Sequence, residues 1–98
     1  MRILFERTGG FAAIKLQRAL DSSDLPPGEV KRLDRMLKKS RFFDLPPRLE
    51  SPTPSVDRFH YKLTVESDQG MRTVEASDAS IPDDLRPLID WLTSISRG

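Results

Sequence analysis

The sequence predicts an α+β fold: a four-stranded antiparallel sheet of two hairpins, with two helices packed on one face, in the order ββαββα. Three observations carry this. Apolar and polar residues alternate with a period of two in four stretches. Gly9-Gly10 and Ser67-Asp68-Gln69-Gly70 interrupt those stretches pairwise, as hairpin turns do. Two further stretches repeat apolar residues every three or four positions, the spacing of an amphipathic helix. With 98 residues the chain suits one domain and one core, spanning 1–98.

Residues 1–8 read as the first strand, with Ile3 and Phe5 on one face and Arg2, Leu4 and Glu6 on the other. Thr8-Gly9-Gly10-Phe11 marks a turn, because adjacent glycines accept positive φ at little steric cost. Residues 12–20 resume the alternation, placing Ile14, Leu16 and Leu20 together and turning Lys15 and Gln17 away.

The polar run Asp21–Asp24 is loop-like, and Leu25-Pro26-Pro27-Gly28-Glu29 opens a helix. Proline suits a first turn, whose amides lack intrahelical partners, and Glu29 suits the positive end of the helix dipole. Val30, Leu33, Met36 and Leu37 give a helix over 26–40, closed by the basic residues Lys38, Lys39 and Arg41. Residues 44–56 contain Pro46, Pro47, Pro52 and Pro54 and read as a long surface loop without regular structure, anchored by Phe42, Phe43 and Leu45.

Phe59, Tyr61, Leu63 and Val65 alternate with Arg58, His60, Lys62 and Thr64 in a third strand over 57–66. The fourth covers 71–76, with Val74 and Ala76 inward. A second helix starts at Ile81-Pro82-Asp83-Asp84, with the two acids in its first turn, and continues through Leu85, Leu88, Ile89, Leu92 and Ile95. Pro87 inside this pattern kinks the helix or splits off a short first turn.

Composition narrows the chemistry. Sixteen Lys plus Arg against fifteen Asp plus Glu leave a formal net charge of +1, which excludes a polycation that holds nucleic acid by charge alone. The absence of cysteine excludes disulfide scaffolds, thiolate zinc sites and cysteine nucleophiles. His60 is the single histidine, so a histidine-rich metal site within one chain is excluded as well. Apolar runs fall far short of the ~20 residues that span a bilayer. The opening Met-Arg-Ile-Leu-Phe-Glu-Arg places charges directly after a short apolar stretch, unlike a secretory signal. The expectation is a cytoplasmic monomer with no cofactor, no membrane span and no nucleic-acid partner.

Chain direction groups the loops. If the first helix carries the chain back toward the first hairpin tip, the tip, the 44–56 loop and Ser77-Asp78-Ala79-Ser80 all meet at that end. Asp21–Asp24 and the 67–70 turn occupy the other.

No catalytic set stands out. His60 beside Arg58 and Lys62 suits a solvated strand position, and Asp83-Asp84 suits a helix dipole. Gly9-Gly10 lacks the helix and lysine that a phosphate cradle needs. The basic positions Arg32, Arg35, Lys38 and Lys39 form either a solvated helix face or a weak nucleic-acid foothold. Phe59 and Tyr61 read as core in preference to base-stacking residues. Phe11 beside two glycines either folds back over the sheet edge or stands out as an exposed anchor for a partner.

Five segments carry a family resemblance. Arg7-Thr8-Gly9-Gly10-Phe11-Ala12-Ala13-Ile14 after the opening strand resembles the Ser-Gly-Gly-Phe-Ala-Gly signature of the emfourins, with Thr8 for the serine and Ala13 for the last glycine. Asp24-Leu25-Pro26-Pro27, Arg41-Phe42-Phe43-Asp44-Leu45-Pro46, Asp57-Arg58-Phe59-His60-Tyr61 and the stretch from Pro82 to Leu92 follow in the family's order. Emfourins are small bacterial protein inhibitors of thermolysin-like, specifically protealysin-like, zinc metallopeptidases.

The resemblance implies a non-catalytic protein that plugs a peptidase cleft. One flexible region would direct an aspartate to the target's zinc, and a second would place apolar side chains in its substrate pockets. A catalytic zinc keeps a position that a carboxylate oxygen can take from water. The loop grouping assigns Asp78 to the zinc and Thr8, Gly9, Gly10, Phe11 and Ala12 to the pockets. Asp21 or Asp24 with Leu25 is the rival set at the opposite end, and an adaptor for another protein partner is the rival role.

Overall fold

The computed structural model describes residues 1–9, 15–49, 59–68 and 70–97. The elements are β1 (Arg2–Gly9), β2 (Leu16–Asp21), α1 (Pro27–Ser40), β3 (Arg48–Leu49), β4 (Phe59–Ser67), β5 (Gly70–Ser77) and α2 (Arg86–Arg97). Short 3-10 turns occupy Ser22–Asp24, Phe42–Asp44 and Asp78–Ser80. The α+β class holds.

The sheet differs in detail from the four-stranded antiparallel expectation. It has five strands in the order β2-β1-β4-β5-β3, and β3 runs parallel to β5. This strand lies inside the segment read as a loop without regular structure. Pro46 and Pro47 cannot donate to a ladder, but the Pro47 carbonyl accepts from the Glu75 amide at 2.9 Å. That bond starts a short ladder in which Arg48 faces Glu75 and Leu49 faces Ala76. Among the described residues two pair, too brief a run for alternation to reveal.

Strand register follows the period-two pattern. Ile3 lies between Leu20 and Val65, and Phe5 between Arg18 and Leu63, so their side chains share one face. With Tyr61, Val74 and Ala76 they form the sheet's contribution to the core. Leu33 and Leu37 of α1, Phe42, Ile81, and Leu85, Leu88, Ile89 and Leu92 at α2 complete it. Fully burying one such side chain contributes about 1.5–3 kcal/mol. The opposite sheet face carries Leu4, Glu6, Gln17, Ala19, Lys62, Thr64 and Thr73, and among the described residues no helix covers it.

The course of α1 corrects the loop grouping. The end of α1, Phe42, Phe43, Met1, Ser67 and Asp68 line one hollow of about 460 Å³, so the helix ends beside the β4–β5 turn. The chain climbs afterwards, as Arg72 donates to the Leu45 carbonyl and β3 rises alongside β5. Ser22, just before α1, is bonded to Met1, and the helix ends beside Met1 again, so α1 runs across the sheet and a strand makes the ascent assigned to the helix.

Two helix boundaries also shift. α1 begins at Pro27 and closes at Arg41, whose left-handed φ of 53° lets its amide reach the Leu37 and Lys38 carbonyls. α2 begins at Arg86, so Asp83 and Asp84 sit in the turn before it and not in its first turn. The Pro82 carbonyl accepts from the Leu85 and Arg86 amides, and the short turn stands apart from the helix as Pro87 implies.

Candidate functional site

At the end of the sheet where β1 stops, the register brings three chain segments together. Gly9 faces Phe59, Thr8 faces His60, and His60 faces Ser77, after which Asp78 opens a 3-10 turn. Gly9 has φ 99°, a left-handed value that glycine adopts without strain. The turn is tied by its own serines: Ser80 Oγ accepts from the Ser77 amide at 2.9 Å and donates to the Ser77 carbonyl at 3.1 Å.

Asp78 sits at the junction. Its Oδ2 accepts from the Phe59 amide at 3.4 Å, and its Oδ1 lies 3.6 Å from Arg86 Nη1. Arg86 Nη2 also donates to the Asp78 carbonyl at 2.9 Å. The carboxylate is therefore mostly buried, with 24% of its side chain exposed. Burial raises the Tyr61 phenol above its ordinary value, and the adjacent Asp78 carboxylate raises it further while Arg7 opposes the shift. The Arg7 guanidinium stacks 4.1 Å over the Phe59 ring.

One part of the loop grouping holds: the root of the first hairpin tip, Thr8 and Gly9, lies one strand from the Asp78 corner, whereas the segment after α1 starts at the other end. Gly10, Phe11 and Ala12, and with them the choice between a folded-back and an exposed Phe11, lie outside the described residues. The partners Arg86, Tyr61 and Arg7 were missed in sequence. They come from three different elements, and no spacing links them to Asp78.

The rival residues gather at the other end. Asp21 Oδ1 accepts from the Ser23 amide at 3.0 Å and from the Ser23 hydroxyl at 2.9 Å. These bonds hold its carboxyl below the ordinary value. Leu25 packs against the core edge, whereas Asp24 is exposed. His60 stays on the open sheet face, 3.5 Å from Glu75, as a solvated strand residue does. Among the described residues no three His, Cys, Asp or Glu side chains group as a metal site. No described helix is long and apolar enough to cross a membrane.

This is a small α+β domain in which the root of the first hairpin and the Asp78 corner share one sheet end. The Emfourin family model matches residues 5–93, and the chain belongs to the Emfourin family. Its members are peptidase inhibitors, not enzymes. Among solved structures, the chain is similar to emfourin (M4in) from Serratia proteamaculans, an M4 family peptidase inhibitor. The two are 22% identical, with 90% of this chain and 84% of that chain covered and a TM-score of 0.48. No curated protein matches the sequence.

Proposed function

We propose that this chain is a stoichiometric inhibitor of a thermolysin-like, M4-type zinc metallopeptidase, with a protealysin-like enzyme as the target. The family match over residues 5–93 is the observation that carries this reading. The inhibitory edge is the end of the sheet where Thr8 and Gly9, the root of the first hairpin, meet the Asp78 corner, with Gly10, Phe11 and Ala12 carrying the pocket-filling part. Phe11 enters an apolar substrate pocket, and the Asp78 carboxylate replaces water on the enzyme's zinc.

Asp78 suits the part chemically. Its contacts to Phe59 and Arg86, at 3.4 and 3.6 Å, are long. A carboxylate has about four acceptor positions, so lone pairs remain for a cation. The same contacts hold the group in place before binding, which lowers the ordering cost on association.

Titration of purified protein against a zinc-loaded thermolysin-like peptidase tests the reading. Loss of peptide hydrolysis at about equimolar inhibitor is expected; full activity at large excess overturns it. A second reading places the zinc ligand at Asp24, because it is the exposed carboxylate of the rival set. Undiminished inhibition by Asp78→Ala together with loss in Asp24→Ala selects that end.

A further inference from the structure

The two edges of the sheet are unlike. Among the described residues the β3 edge pairs at two positions, and it is preceded by Pro46 and Pro47, which have no amide to offer a further strand. The β2 edge is six residues long, contains no proline, and exposes Gln17, Arg18 and Ala19 in succession. Among the described residues no strand pairs with this edge, and an edge of that kind is a template for another strand.

Its free hydrogen-bonding groups can be assigned. The Ser22 amide donates to the Met1 carbonyl at 2.8 Å, continuing the ladder in which Arg2 faces Asp21. Antiparallel ladders alternate bonded and non-bonded pairs. Leu20, Arg18 and Leu16 therefore turn their main-chain groups toward β1. Gln17, Ala19 and Asp21 turn theirs toward the open edge, symmetrically about Ala19.

We propose that two copies of this chain pair through β2, antiparallel, with Ala19 facing Ala19 of the second copy on a two-fold axis. In that register Gln17 faces Asp21 of the other copy and each outward group finds a partner. Arg18 faces Leu20, so its aliphatic stem covers the half-buried leucine. The neighbouring register, centred on Arg18, opposes two arginines and is disfavoured by charge. A register centred on Leu20 leaves Gln17 opposite residues beyond the strand.

The open face agrees with this choice. Thr73, Thr64, Leu4 and Ala19 stand in one uncharged cross-strand row. Leu4 remains 44% exposed beside a shallow hollow of about 370 Å³ that Ala19 and Thr64 also line. The two-fold continues this row into the second copy, so apolar surface meets apolar surface at the dyad. On the core face, Leu16 and Leu20 are only partly covered in one chain. The axis reverses strand direction, so the Asp78 corners point to opposite ends of the pair and both stay open. The proposal departs from the monomer expected from sequence and is independent of the peptidase reading.

Sedimentation velocity of the purified chain from about 10 µM to about 1 mM tests it, a range that brackets weak self-association. A concentration-dependent species of twice the 11.2 kDa chain mass is expected. Ala19→Pro removes an outward amide at an edge position that tolerates proline, and Ala19→Lys sets like charges on the axis. Each should weaken association at least tenfold with the far-ultraviolet circular dichroism unchanged; if the proline variant loses that spectrum, the lysine variant decides. Ala19→Cys, in a chain with no cysteine of its own, should join into a covalent pair with a short bifunctional reagent. A wild-type monomer at the highest concentration overturns the proposal. So does a dimer that neither the proline nor the lysine variant weakens.

Discussion

The Phe59 amide donates to the Asp78 carboxylate across 3.4 Å, joining the start of β4 to the turn that follows β5. Because Phe59 also faces Gly9, one carboxylate sets the spacing between the first hairpin's root and the Asp78 corner. Asp78→Ala should weaken peptidase inhibition about 10- to 100-fold, the range for a lost charged contact of about 1.5–3 kcal/mol. Inhibition constants measured beside urea midpoints separate this from a folding defect, which should stay near 1 kcal/mol because Arg86 is half-exposed. Equal inhibition by the variant would move the zinc ligand elsewhere.

Phe11→Ala tests the apolar half of the same edge. Truncating an anchor that fills a substrate pocket costs about 2 kcal/mol or more of binding. The expected result is at least tenfold weaker inhibition at an unchanged thermal midpoint. A large fall in that midpoint would instead place Phe11 in the core.

Phe42 is fully buried, and its ring meets Phe43 edge-on with centroids 5.7 Å apart. Phe42→Ala should cost about 3–5 kcal/mol, read from urea unfolding. Arg41, just before it, is the one described non-glycine residue with positive φ. Arg41→Gly should stabilise by about 0.5–1 kcal/mol, because glycine takes the left-handed closing position without a Cβ clash.

Two groups set the pH dependence. The Asp21 carboxyl is held below its ordinary value of 3.8 by Ser23. Its contribution is fully present above that value and is lost as pH falls through the lower folded value. Asp21→Asn should therefore differ from wild type in urea midpoint at pH 6 and converge with it in strong acid. Tyr61 behaves oppositely: its folded value lies above 10.0, so the folded state retains a proton that the unfolded state loses. Stability should fall as pH rises past about 10, and Tyr61→Phe should remove that fall.

Strands and helices with several repeats were legible in the sequence. Ile3 and Phe5, Tyr61 through Val65, and Leu85 through Leu92 announce their inward faces by period alone, because burial of one face demands it. The boundary at Pro87 was legible for a covalent reason, since proline lacks an amide. Asp83 and Asp84 were assigned one turn too far into the helix, because acids suit both a first turn and the turn before it.

The sequence by itself determined the α+β class, the two hairpins, the inward residues and, through five ordered segments, the family. Only the tertiary structure decided that β3 joins the sheet, that α1 lies across it, and that Asp78 meets Arg86, Tyr61 and the Phe59 amide. The reason lies in the range of the forces. Periodicity and turn chemistry act between near neighbours, whereas these contacts join residues 8 to 27 positions apart and form only when packing brings their elements together.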